Sequence, residues 1–238
     1  NQLAEQLESN ISSHQRLLGD VSHELRSTVT RLQLAVALAE KNIGNADEQQ
    51  KHLARCELEV DRLDEMIADV LTLSRLEHSQ NAFTADEVEI NHLITEVVND
   101  SQYFANSKNV TIALKTGANF SLFVDVKLLT SAISNVLNNA VKYSPKGNVV
   151  TVTLSQSLKE QIILTVSDHG PGVPDDMITE LFSPFFRVAD GRERSSGGTG
   201  LGLAIAQQAI HLHQGDIFAE NREPHGLKVT IKLPLTAC

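Results

Sequence analysis

Gly197-Gly198-Thr199-Gly200-Leu201-Gly202-Leu203-Ala204-Ile205-Ala206 is the stretch on which the fold turns. Glycines at 197, 198, 200 and 202 run straight into an apolar helical segment. Flexible backbone amides delivered to a helix N-terminus make an anion site. The stretch is not a P-loop, because no Gly-Lys-Ser/Thr ends it and no strand immediately precedes it. Nor is it a dinucleotide fingerprint, because it lies late in the chain without a following strand that ends in an acid. Arg187, Arg192 and Arg194 dot the segment before it. Residues 187–199 read as a lid over phosphates, with arginines that balance charge. A solvated loop accounts equally for at least one of these arginines.

Two clusters nearer the N-terminus complement the loop. Asp168-His169-Gly170-Pro171-Gly172 closes a strand that begins near Ile162. Gly170 and Gly172 let backbone approach a ligand closely. A buried Asp168 carboxylate suits the exocyclic amine of adenine and rejects the oxygen that guanine presents there. The alternative is a Gly-Pro turn with a capping Asp. Asn135 and Asn139 fall at i and i+4 of a predicted helix, on one face. The Asn139 side-chain oxygen is a hard, neutral ligand of the kind magnesium takes. Lys142 is placed to reach a phosphate and Tyr143 to lie against a nucleotide. An ordinary polar helix face would look the same.

Residues 1–80 have a different texture, with no proline and only Gly19 and Gly44. Ala4, Leu7, Ile11, Leu18, Val21, Leu25, Leu32, Ala35 and Ala39 trace a heptad seam, with His14 and Thr28 filling two slots. Gly44 suits a helix C-terminus, and Asp47 is a start for the next helix. That helix carries Leu53, Cys56, Val60, Leu63, Ile67 and Val70, widened by Met66, Leu73 and Leu76. A hairpin buries only one interface, so the widened stripe predicts a four-helix bundle built by two chains. Packing against the rest of the same chain is the other solution. In this frame His23 faces outward. A neutral imidazole is a nucleophile, and adjacent Glu24 is placed to take its proton while Arg26 steadies that carboxylate. A solvated helix face gives the same pattern.

The pattern changes around residues 78–86, where His78-Ser79-Gln80-Asn81 reads as a linker, and beyond it strands are expected at 110–115, 149–154, 162–166 and 227–233. Helices are expected near 91–105, 126–142 and 200–213. Such alternation predicts a two-layer α/β sandwich. The fold class is therefore α+β in two domains, residues 1–80 and 83–238. The net charge of −10 and 4% aromatic content argue against nucleic acid as a partner. Cys56 and Cys238 give no pairing or metal pattern. His211 and His213, two apart on a helix, point to different faces, so no structural metal is expected. No apolar run reaches membrane-spanning length, so no direct membrane contact is expected from this stretch. The chain opens mid-pattern at Asn1 without Met, as a piece of a longer protein does.

In their order, His23-Glu24-Leu25-Arg26, Asn135 with Asn139-Ala140, Asp168 to Gly172, and Gly197 to Leu203 resemble the H, N, G1 and G2 boxes of sensor histidine kinases. Phe182-Ser183-Pro184-Phe185-Phe186-Arg187 is similar to their F box. The resemblance covers almost the whole chain. It implies a dimerisation and phosphotransfer hairpin followed by a Bergerat-type (GHKL) ATP-binding domain, with ATP and Mg2+ as cofactors. It implies that His23 is phosphorylated and passes the phosphoryl group to an Asp of a response-regulator receiver domain. Glu24 is then the general base, Asn139 the magnesium ligand, and Asn135 and Lys142 lie near the phosphates. Asp168 reads adenine, and Gly170, Gly172, Gly198, Thr199, Gly200, Leu201 and Gly202 shape the pocket and lid. The resemblance further implies a homodimer, the cytoplasmic portion of an inner-membrane sensor. Relatives that dephosphorylate their regulator use a Thr or Asn four residues after the histidine. Here that residue is Ser27, and the proline usual after it is Thr28. Proline would kink the helix. A stiffened bundle that binds nucleotide as a signalling scaffold with impaired kinase activity is the alternative. An ATPase of the wider superfamily that includes Hsp90 is a third reading, against which His23-Glu24 argues.

Overall fold

In the computed structural model the N-terminal stretch without proline forms two long helices, α1 (Gln2–Lys41) and α2 (Ala46–His78). The described residues are 2–78, 83–157, 161–188 and 198–235, with backbone alone for 2–16 and 77–78. The turn between the helices holds Gly44 at φ +111°, a left-handed conformation that glycine adopts without a Cβ clash. Asn45, not Asp47, caps α2: its side-chain oxygen accepts from the Glu48 amide at 3.3 Å.

The seam inside the hairpin differs in part from the one the heptads predict. On α1, Leu17, Thr28, Ala35 and Ala39 are buried, whereas Leu18 is 62% exposed. On α2 the buried column is Glu59, Met66 and Leu73, at intervals of seven. The column Leu53, Val60 and Ile67 stays 44–51% exposed. The apolar stripe of α2 is thus wider than one partner helix covers. Periodicity marks which residues are apolar, but the register of two helices decides which column closes first.

The chain divides into two compact units, Asn1–Leu71 with Gly197–Thr199, and Thr72–Ser196 with Gly200–Cys238. The second unit is built on a five-stranded sheet in the order β2-β4-β5-β7-β6. Its strands are β2 (Thr111–Thr116), β4 (Val149–Gln156), β5 (Gln161–Ser167), β6 (Asp216–Asn221) and β7 (Leu227–Pro234). β2 and β4 are parallel and the other pairs antiparallel. Alternation puts Val150, Val152 and Leu154, Ile162, Leu164 and Val166, and Val229, Ile231 and Leu233 in the core. Helices α3 (Ile90–Ser107), α4 (Val126–Tyr143) and α5 (Gly202–Leu212) bury Ile94, Ile133, Leu137, Ile205 and Ile210. A short antiparallel pair, β1 (Asp86–Glu89) with β3 (Ser121–Val124), and a 3-10 turn at Asp175–Phe182 complete the unit. Sequence reading omitted β1, β3 and β6. Each is short, and β6 carries Asp216, Glu220 and Asn221 where a buried strand would be apolar.

Candidate functional sites

The hairpin carries one constellation. His23 and Arg26 are exposed, while Glu24 and Ser27 are half-buried. Below them, the Glu59 carboxylate is fully buried between helices and meets three guanidinium groups. Arg31 Nε donates to Oε2 at 3.0 Å, and Arg55 and Arg62 reach Oε1 at 2.8 and 2.9 Å. Burial alone would raise this carboxyl, but the Arg31 hydrogen bond and the charges of Arg62, Arg31 and Arg55 outweigh it and hold it below the ordinary range. Thr28 is buried and solves its own polarity: its hydroxyl donates to the Glu24 carbonyl at 3.0 Å and accepts from Arg31 Nη2 at 2.8 Å. Gly198 and Thr199 belong to this unit, where the Thr199 hydroxyl donates to Asp69 at 2.6 Å.

The sheet unit carries the other. Asp168 ends β5 and is buried. Its Oδ1 accepts from the amides of Gly170 at 2.7 Å and Leu227 at 2.9 Å. Oδ2 makes no hydrogen bond among the described residues, so one oxygen is committed to the fold and the other is left for a ligand. Burial pushes the carboxyl above its ordinary range, against the Leu227 and Gly170 amides and the Arg222 charge. A Cβ on Gly170 would lie 2.9 Å from the Tyr143 carbonyl, which ties the end of α4 to this turn.

On α4, Asn135, Asn139 and Lys142 lie along one half-exposed face. A Cβ on Gly202 would meet Asn135 Oδ1 at 2.8 Å, so the glycine is what lets α5 begin against α4. Phe185 donates its amide to the Gly200 carbonyl at 3.0 Å, joining the aromatic segment to the glycine loop. Leu201, fully buried, leads into α5, whose first turn has no side-chain cap. Its orphan amides are therefore available to an anion. Gly172 has φ +76° and packs on Asn221. Lys142 Nζ lies 5.0 Å from the Tyr143 ring, and Tyr143 and Arg187 are exposed. Arg192 and Arg194 lie outside the described residues.

The residues present fit magnesium in one way. The Asn139 amide makes no hydrogen bond among the described residues, and no His, Cys, Asp or Glu cluster able to hold a metal exists among them. A cation here takes a single neutral oxygen from the protein and fills its other positions from phosphate and water, which magnesium accepts.

Comparison with known proteins matches both parts of the chain to domain families. Residues 13–79 fit the His Kinase A (phospho-acceptor) domain, and residues 124–237 fit the histidine kinase-, DNA gyrase B- and HSP90-like ATPase domain. Over 237 residues the chain is 40% identical to the sensor histidine kinase CpxA of Escherichia coli K12, covering 99% of this chain and 50% of CpxA. The chain belongs to the sensor histidine kinases. It is 31% identical over 219 residues to WalK of Bacillus subtilis, covering 91% of this chain and 36% of WalK. The kinase chain thus spans about half or less of the length of these curated relatives. Its fold is similar to that of histidine kinase ThkA solved in complex with the response regulator protein TrrA. The TM-score is 0.79 at 21% identity, covering 97% of this chain and 64% of that one. It is also similar to Acinetobacter baumannii AdeS, with a TM-score of 0.68 at 21% identity, covering 90% and 98%.

Around Asp168, sequence reading of this kinase missed Arg222, whose guanidinium donates to the Asp168 carbonyl. It also missed Gly226, where a Cβ would overlap that same carbonyl. Asn221 was missed as well; it bonds the amide and carbonyl of Val173 at 3.0 and 2.6 Å. All three lie about fifty residues downstream of Asp168, so only strand pairing of β5 with β7 brings them there. Arg31 and Glu59 were missed too, although a Glu in register with Met66 and Leu73 was a legible signal.

Proposed function

We propose that this chain binds ATP with Mg2+ in its C-terminal domain, taken as residues 83–238, and phosphorylates His23 of its N-terminal domain, residues 1–80. The observation that carries the reading is the exposed His23 imidazole beside Glu24 on α1. In this reaction one ring nitrogen attacks the γ-phosphorus, the bond to the ADP oxygen breaks, and the proton on the other nitrogen passes to Glu24. Arg26 steadies that carboxylate. Asp168 Oδ2 accepts from the adenine amine, and Asn135, Lys142 and the amides opening α5 at Gly202 hold phosphate oxygens. Asn139 would hold magnesium, which would neutralise charge on the phosphates. Gly200, Leu201 and Arg187 frame the pocket.

A receiver domain of a response regulator then takes the phosphoryl group onto an Asp. The ThkA–TrrA complex, from a kinase of similar fold, supports such a partner. Ser27 is the residue placed to serve the reverse hydrolysis. The exposed stripes Leu53, Val60 and Ile67 on α2 and Leu18, Val29 and Val36 on α1 support a homodimer closed as a four-helix bundle. The kinship with CpxA supports the cytoplasmic portion of an inner-membrane sensor.

Labelled ATP with magnesium is expected to give acid-labile, base-stable phosphate on the protein, absent in His23→Gln. Equal labelling of His23→Gln would refute the assignment. Thr28 supports a second reading, because α1 runs unbroken through this buried position. A nucleotide-binding scaffold would bind ATP tightly without phosphohistidine, and Thr28→Pro would restore labelling.

A further inference from the structure

Four hydroxyls lie on α1 around His23, and one of them behaves differently. Ser22 donates to the Leu18 carbonyl at 2.8 Å, Thr28 to Glu24 at 3.0 Å and Thr30 to Arg26 at 2.8 Å. Each spends its proton on the carbonyl one turn back, as helix hydroxyls do. Ser27 does not. Its Oγ accepts from Arg31 Nη1 at 2.8 Å, and its own proton has no acceptor among the described residues. Ser27 is one helical turn after His23 and on the same face.

Arg31 is tied at three points. One planar guanidinium donates through Nη1 to Ser27, through Nη2 to Thr28 and through Nε to the buried Glu59. Glu59 is itself fixed by Arg55 and Arg62. A hydroxyl that accepts from a guanidinium is polarised and becomes a stronger donor. An anionic group on His23 is what such a donor would meet.

We propose that Arg31 is a positioning residue for phosphoryl chemistry: anchored on Glu59, it turns the Ser27 hydroxyl outward so that its proton is donated to an oxygen of the phosphoryl group entering or leaving His23. The proposal rests on His23 as the phosphorylated residue. No bond is made or broken at Ser27 or Arg31. The P–N bond forms at His23 as the P–O bond to ADP breaks, and the serine proton stays on its oxygen.

The test is a double-mutant cycle on this 238-residue chain. Arg31→Lys keeps a charge beside Glu59, but a single ammonium cannot hold Ser27, Thr28 and Glu59 at once. Ser27→Ala removes the donor itself. Each single variant is expected to lower the kcat of autophosphorylation about tenfold, the loss of one hydrogen bond to a charged group, with KM for ATP unchanged. The double variant is expected to lose no more than either single one. Ser27→Thr, which restores the hydroxyl, is expected to keep the parent rate. The second readout is the 31P resonance of phospho-His23, identified by its absence in His23→Gln. Phosphoramidate, which phosphorylates imidazole directly, supplies that species without ATP. Ser27→Ala and Arg31→Lys are expected to move the resonance in the same direction and by the same amount. Additive losses in the double variant, or a resonance that moves only in Ser27→Ala, would overturn the proposal. A chain that phosphoramidate labels on His23 and ATP does not would defeat the kinase reading instead, and the 31P comparison would still decide this one.

Discussion

Replacing Asp168 by Asn changes one atom in the nucleotide pocket, and the structure fixes which way the new amide faces. Oδ1 of Asp168 accepts from the Gly170 and Leu227 amides at 2.7 and 2.9 Å. Both partners are donors, so the asparagine must keep its oxygen there. Its NH2 group then takes the place of Oδ2 and opposes the adenine amine, donor against donor. The loss is about 2–3 kcal/mol, that of a hydrogen bond to a charged acceptor, or roughly a 30- to 150-fold rise in Kd. Guanine presents an oxygen at the same place and is relieved of its mismatch. Asp168→Asn is therefore expected to weaken binding of a non-hydrolysable ATP analogue and to strengthen that of the GTP analogue, both read by calorimetry. The unliganded fold should respond oppositely. Burial raises the Asp168 carboxyl above its ordinary 3.8, so the folded state holds the proton more tightly than the unfolded one. Its ionised form costs stability above the raised value, and that cost disappears below 3.8. Asparagine removes the cost at neutral pH, so the unliganded variant should melt no lower than the parent and lose the corresponding pH slope. Unchanged ATP affinity, or unchanged discrimination between the two analogues, would refute this account of adenine recognition.

Glu59→Ala should destabilise the hairpin by about 3 kcal/mol in urea unfolding. This is the lower end for a broken buried pair, since Arg31 and Arg55 keep 38% and 41% side-chain exposure. His213 is buried, with Nε2 accepting from the Asp125 amide at 3.1 Å and Nδ1 donating to the Ala209 carbonyl at 2.7 Å. Burial lowers its pKa below 6.5, so the unfolded chain takes up a proton first and stability falls as pH drops below about that value. Melting curves between pH 7.5 and pH 5 should show the fall in the parent and a flatter profile in His213→Asn. Val60→Lys with Ile67→Lys places charge on the exposed α2 stripe. Light scattering near 26.0 kDa for the variant, against twice that for the parent, is expected. A variant that stays dimeric would move the interface elsewhere.

What the sequence made legible follows the range of the interactions concerned. Helices α3, α4 and α5 and the long strands β4, β5 and β7 announce themselves because their periodicity is local and strong. The glycine clusters are legible for the same reason, since a steric demand on one residue is written at that residue. The environment of Asp168 is not local. Its amide partner Leu227, its neighbour Arg222 and the close approach of Gly226 lie some fifty to sixty residues away and arrive only through the β5–β7 register. The hairpin shows the same limit from the other side. The apolar stripe of α2 includes Leu53, Val60 and Ile67, which are exposed, whereas the column that is buried begins with the charged Glu59. A carboxylate is tolerated at that position only because Arg31, Arg55 and Arg62 converge on it from two helices. This buried Glu59 is what orients Arg31. The arginine in turn leaves the Ser27 proton uncommitted, where Thr28 and Thr30 give theirs to the backbone.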